Sequence, residues 1–276
     1  MMKIIADSSA NISALEGVCF QSIPMTIRAG EREFVDDGTL DTAKMLDYLA
    51  SYNGKSGTAC PGLDAWLQAF SGADEIFVVT ITGALSGTCA SAVAARDLYL
   101  QSHPEARIHV FDSLSTGPEM LLLIEKLAGL IREGKSFDEI CKAGQDYLAS
   151  THLLFIQRSI HNLAQNGRVS KLAAGAVGIL GIQILAKASE QGTIEPVEKC
   201  RGDKKARNAL VDEMYRFGYR GGKVRIHHAE NPETAGALAA ALRDRFPWTE
   251  IEIRPCTGLC SYYAERGGVI VGFETA

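Results

Sequence analysis

Ser86 and Thr88 stand in the stretch Thr82-Gly83-Ala84-Leu85-Ser86-Gly87-Thr88, just after the β-branched run 76–81 and just before an alanine-rich segment that begins at Cys89. The run reads as a strand buried on both faces and the alanine-rich segment as a helix. Hydroxyls at such a corner, with Gly87 between them, lie beside free backbone N–H groups and the positive end of a helix dipole. That is the chemistry of a small anion seat. Ordinary N-capping of the helix by Ser86 or Thr88 is the simpler alternative. The same construction occurs twice more. Residues 3–6 read as a strand followed by Asp7-Ser8-Ser9-Ala10-Asn11, and residues 107–111 read as another that leads into Asp112-Ser113-Leu114-Ser115-Thr116-Gly117-Pro118. Three strands that end in hydroxylated turns point to one sheet edge, and in open α/β sheets the carboxyl edge is where ligands sit.

The elements that must position these turns follow from pattern. Residues 18–27 read as extended, and a helix follows Asp41 or Thr42 to about residue 51. Residues 54–62 read as a loop carrying Thr58, followed by an amphipathic helix over 63–70. A strongly apolar helix runs over 119–132, and Ser136 with Glu139 predicts a capping box for the next. Strand and helix alternate throughout residues 1–150, the pattern of a parallel sheet with helices on both faces. From residue 151 the texture changes. Strands are expected at 153–157, 193–200, 223–229, 249–255 and 268–273, with helices at 159–165, 203–217 and 232–246. This predicts a second α/β domain over 151–276, and an α/β fold class for the whole chain. The 276 residues allow two domains of this size.

Composition excludes several classes. There are 33 acidic and 28 basic residues, a net charge of −5, which disfavours nucleic acid or an anionic membrane as the main partner. The seven cysteines are scattered without a C-x-x-C pair, Cys256 and Cys260 lack a matching His pair, and His227 and His228 point to opposite faces of a strand. No metal site is expected. The start of the chain does not read as a signal peptide, and the longest apolar stretch, 172–186, is too short to span a bilayer. A soluble, cytoplasmic protein is expected. Residues 129–136 match G-x-x-x-x-G-K-[ST] letter for letter, but they follow a helix and carry Leu, Ile, Arg and Glu where a phosphate loop needs small residues. A helix C-cap at Gly134 and an N-cap at Ser136 explain them. Around Ser86 the pattern is G-x-x-S-G rather than the nucleophile elbow of hydrolases.

The combination of KIIADSSANI, TGALSGTCASA, the Asp112-Ser113 pair, NGRVSKLAAGAVGILGIQILA and GTIEPVEKCRGDKKA resembles the DegV family of bacterial fatty-acid-binding proteins, in order along nearly the whole chain. The resemblance implies two α/β domains, the second with a mixed sheet, and a long-chain fatty acid held in the cleft between them. It also implies a non-catalytic carrier without a cofactor, whose partner is a separate fatty-acid kinase that makes the acyl phosphate. Residue by residue, the family's carboxylate-binding Thr corresponds to Thr58, its Ser to Ser86, beside Gly87 and Thr88, and its Arg to Arg168. Asp7, Ser8, Ser113 and Tyr263 are expected just behind that seat. Tyr263 stands where the family carries His, and Ala59 and Cys60 replace a Ser and a Gln. Gly175, Gly178 and Gly181 are either an approach for the acyl chain or a site of tight helix packing. Two other readings stay open: an enzyme with acyl or phosphoryl chemistry of its own, whose candidate bases are Asp7, Asp112 or His161, and a regulatory module with a vestigial cleft.

Overall fold

A computed structural model describes residues 1–169 and 181–275. The expectations for Gly175 and Gly178, and for most of the apolar stretch 172–186, lie outside the described residues. In the first half the strands are β1 (Met2–Asp7), β2 (Cys19–Ile23), β3 (Thr26–Ala29), β4 (Arg32–Val35), β5 (Ser56–Ala59), β6 (Glu75–Thr80) and β7 (Arg107–Asp112). The helices there are α1 (Thr42–Ser51), α2 (Leu63–Phe70), α3 (Thr88–Ser102), α4 (Gly117–Arg132) and α5 (Phe137–Leu148). A four-stranded sheet in the order β2-β1-β6-β7 is parallel throughout. The apolar runs of β1 and β6 are buried along almost their whole length, as a two-faced parallel sheet requires.

The second half contributes β8 (Thr151–Gln157), α6 (His161–Gln165), β9 (Ile182–Ala188), β10 (Ile194–Arg201), α7 (Asp203–Arg216), β11 (Gly222–His228), α8 (Pro232–Arg245), β12 (Thr249–Pro255), α9 (Gly258–Ala264) and β13 (Val269–Glu274). Its six strands form a mixed sheet in the order β10-β9-β8-β13-β11-β12, in which β11 and β12 are the parallel pair.

Helix α4 lies between the two sheets, packed on β1 and β6 to one side and on β8, β11 and β13 to the other. This is why its first half carries five consecutive apolar residues, Met120, Leu121, Leu122, Leu123 and Ile124, all of them buried. Gly272 on β13 lets the helix come close, since a Cβ there would stand 2.5 Å from Glu119 N. The helix is also tied to the second sheet through Arg225. This buried guanidinium grips Glu125 of α4 with three hydrogen bonds, Nε to Oε1 at 3.0 Å and to Oε2 at 3.2 Å, and Nη2 to Oε2 at 2.7 Å.

Four expectations change. Residues 54–62 are not all loop: β5 carries Thr58 and pairs antiparallel with β3, Ile27 opposite Thr58, in a small third sheet ordered β4-β3-β5. Ser-Gly-Thr-Ala has little strand propensity of its own, so this strand exists because β3 supplies its partners. The extended segment 18–27 is broken at Pro24 into β2 and β3, which belong to different sheets. Strand β9 takes the end of the apolar stretch 172–186. Helix α9, which the pattern did not suggest, follows Pro255. The capping box at Ser136 and Glu139 is present, and Gly134 adopts φ +73 after α4, so residues 129–136 are a helix end and a helix start.

Candidate functional site

Because β1, β6 and β7 are adjacent and parallel, their three following turns meet at one edge and are laced together. Asp7 Oδ2 accepts from Ile81 N at 2.7 Å, Ser113 N donates to Thr80 O at 3.2 Å, and Thr82 N donates to Ser115 O at 2.8 Å. Asp112 Oδ1 accepts from Gly83 N at 3.0 Å and Leu114 N at 3.1 Å. Glycine at position 83 lets the carboxylate come close, since a Cβ there would stand 2.7 Å from Asp112 Oδ2. These carboxylates therefore hold the turns. Burial raises the Asp7 carboxyl to about 6 against the opposing bonds from Ser9 and Ile81.

The corner before α3 differs from simple capping. The N-cap is Gly87, and no side chain caps the helix. Instead Ser86 Oγ accepts from Thr88 N at 3.3 Å and pairs with Thr88 Oγ1 at 2.8 Å, which fixes the Ser86 hydroxyl at the entrance to the helix.

Arg168 reaches this corner from α6. That helix ends with Gly167 at φ +70, Gly167 N bonded to Ala164 O at 3.1 Å and Arg168 N to Leu163 O at 2.8 Å, the two bonds of a Schellman motif. The turn projects Arg168 across the gap, where Nε donates to Leu85 O at 3.0 Å and Nη1 donates to Asn166 O. From the third side comes β5. Thr58 Oγ1 pairs with Tyr263 OH at 2.9 Å, and Ser56 Oγ with Tyr262 OH at 2.8 Å, so β5 is stitched to α9 by hydroxyls. Helix α9 is itself started by a distant residue: Asp36 Oδ1 accepts from Gly258 N at 2.8 Å and Oδ2 from Leu259 N at 3.0 Å.

Thr58, Ser86, Arg168 and Tyr263 line one cavity between the two large sheets, with an empty volume of about 790 Å³ that includes the space where it opens to solvent. Its other walls are largely apolar, among them Met25, Ile81, Leu85, Leu153, Phe155, Leu163, Ile194, Leu259 and Ile270. Among the described residues that line it, Arg168 carries the one formal charge. An apolar hollow with hydroxyls and a guanidinium in its wall matches a ligand with a long apolar body and an anionic head.

The remaining candidate residues lie off the wall. Thr88 is buried beneath Ser86, and Gly87 faces Cys60, whose Sγ a Cβ would meet at 3.5 Å. Ser8 Oγ accepts from Met25 N at 3.1 Å, Ser113 Oγ donates to Ser115 O at 3.1 Å, and Asp7 sits under the first turn. Of the three candidate bases, Asp7 and Asp112 hold backbone amides, and His161 borders a separate depression beside α1. Gln157 was missed. It is buried, lines the cavity, and anchors α9 by donating from Nε2 to Tyr263 O at 3.1 Å. Its place at the inner end of β8 was legible only as the last residue of an apolar run. Thr82 was noted as part of a turn, but nothing in the sequence showed that it faces the β9–β10 connection.

The fold and the cavity together define an α/β protein with a largely apolar hollow between its two large sheets. The DegV family model matches residues 1–275, and the chain belongs to that family. It is 44% identical to a DegV domain-containing protein of Streptococcus pneumoniae over 99% of this chain and 98% of that protein. Among solved structures, a DegV family protein from Eubacterium eligens loaded with heptadecanoic acid is 49% identical, with a TM-score of 0.98 and full coverage of both chains. The Streptococcus pneumoniae fatty acid kinase (Fak) B3 protein, loaded with linoleic acid, is 44% identical with a TM-score of 0.97, covering 100% of this chain and 99% of that one.

Proposed function

We propose that this protein is a carrier of a long-chain fatty acid, held with its acyl chain in the cavity and its carboxylate at Thr58, Ser86 and Arg168. The observation that carries the reading is a largely apolar hollow whose described wall contains a single formal charge, a cation. Burying a methylene is worth roughly 0.8 kcal/mol, so a chain of ~14 methylenes grosses about 11 kcal/mol, much of which is offset by lost freedom on binding. The carboxylate must meet donors, because left dry it would cost several kcal/mol. Two hydroxyls and a guanidinium supply them. The likeness to structures loaded with heptadecanoic and linoleic acids supports the ligand class. The likeness to the Fak B3 protein supports delivery of the bound acid to a separate fatty-acid kinase. No cofactor and no catalytic group enters this reading, and it places the carrier inside the cell with that kinase.

Native mass spectrometry of protein purified from a bacterial host tests it, with a co-purified long-chain fatty acid as the expected result. After delipidation, Ser86→Ala should weaken rebinding about tenfold and Arg168→Gln more, since a bond to a charged group is worth roughly 1.5–3 kcal/mol. Wild-type protein that binds no fatty acid refutes the carrier reading. Unchanged affinity in both variants refutes the seat while leaving the ligand.

A further inference from the structure

Gln157 is the last residue of β8 and is only 5% exposed. Its Nε2 donates to Tyr263 O at 3.1 Å. That bond fixes which way round the amide stands, since the flipped amide would set two carbonyl oxygens against each other. The other half of the amide is unmatched: among the described residues, Oε1 has no hydrogen-bond partner. A buried acceptor left dry is costly, and nearly all such atoms in folded proteins meet a donor. Holding α9 accounts for Nε2 and leaves Oε1 unexplained.

The cavity is the place from which a donor can come. Leu153, Phe155 and Gln157 alternate along β8, and all three line the hollow. Gln157 stands at the end beside the proposed carboxylate seat. It bonds the main chain of Tyr263, and the phenol of that same residue bonds Thr58 Oγ1. One tyrosine side chain therefore separates the amide from the seat, and the strand runs back from it for about 13 Å to Leu153. A plain fatty acid has nothing to offer Oε1. Its methylenes carry no donor, and a carboxylate beside Arg168 keeps its charge and has no proton to give.

We propose that Gln157 Oε1 accepts a hydrogen bond from a hydroxyl on the first few carbons of the ligand, so that the cavity favours long-chain 3-hydroxy acids over plain ones. The inference rests on the fatty-acid reading above and names the ligand class of that same cavity. In a wall that is otherwise largely apolar, a hydroxyl without an acceptor weakens binding. Opposite Gln157 it satisfies two groups at once.

The test titrates delipidated, full-length protein calorimetrically with hexadecanoic, 3-hydroxyhexadecanoic and 16-hydroxyhexadecanoic acids. Wild type should bind the 3-hydroxy acid about fivefold more tightly than hexadecanoic acid, the factor that one neutral hydrogen bond gives. The 16-hydroxy acid, with its hydroxyl at the far end of the chain, should show no such gain. Gln157→Met keeps the length of the side chain and loses the acceptor, and should bind the 3-hydroxy acid more weakly than hexadecanoic acid. Each comparison is a ratio within one protein, so any general effect of freeing Tyr263 O cancels. Wild type that binds the 3-hydroxy acid no better than hexadecanoic acid overturns the proposal. So does a preference that survives in Gln157→Met, or an equal gain from the 16-hydroxy acid. If Gln157→Met does not fold, the three wild-type affinities decide alone. Wild type that binds none of the three acids removes the fatty-acid reading itself, a result distinct from equal affinities.

Discussion

Thr58 and Tyr263 share one hydrogen bond at the cavity wall, 205 positions apart in sequence. A hydroxyl pair has one proton to spare after bonding to itself, so Tyr263 can orient Thr58 toward a carboxylate without touching the ligand. Tyr263→Phe should then weaken fatty-acid affinity about threefold to fivefold, and Thr58→Ala by a similar factor. The double variant should cost less than the two combined, because each single change already breaks the same bond. Isothermal titration on delipidated protein measures all three. Fully additive losses would show two independent contacts and no positioning role. The pairing was not readable from sequence, where Thr58 is one hydroxyl in a glycine-rich stretch. Only antiparallel registry with β3 and the distant start of α9 at Asp36 bring it to the phenol.

At the scale of elements, α6 shows how a short helix aims a cation. Gly167 takes a left-handed conformation that closes the helix and turns Arg168 toward Leu85. Nothing lies within 4 Å of a Cβ at this glycine, so Gly167→Ala introduces backbone strain without a clash. It should lower stability by about 1 kcal/mol, visible as a shift in the urea midpoint. It should also weaken fatty-acid binding, since the strained turn no longer holds Arg168 in place. A stability loss with unchanged affinity would detach the turn from the seat. This element was legible in advance: Asn166-Gly167 reads as a helix stop, and Arg168 follows it. What the pattern could not give was the partner across the gap.

For the whole molecule, Glu119 sits at the joint between the two large sheets. Its carboxylate accepts from Ser115 Oγ on the parallel-sheet edge and from Thr151 Oγ1, at the start of the second sheet, at 2.8 Å. Burial raises its pKa to about 7, against those two bonds, which favour the charged form. The folded state thus binds a proton more tightly than the unfolded state, and stability falls as pH rises from the unfolded value near 4.5 through the folded value. Asp7, raised to about 6, adds a slope of the same sign at lower pH. Glu119→Gln should flatten much of this dependence and stabilise the protein at about pH 8 by roughly 1–3 kcal/mol. Urea unfolding of both proteins at about pH 5 and about pH 8 checks it. A wild-type profile flat between those values would contradict the assignment.

Local pattern was sufficient for most of the helices, for the parallel sheet and for the three turns at its edge, because each is dictated by neighbours a few residues away: β-branched runs, caps, and glycines at chain reversals. The burial of α4 was written in its apolar residues 120–124 and 127–131, interrupted only by Glu125 and Lys126. Strand β5, helix α9, the carboxylate of Asp36 beneath it and the bond from Gln157 to Tyr263 were decided by the tertiary structure. Their stabilising partners lie far along the chain, and a segment whose own propensity is weak takes the shape its distant neighbours impose.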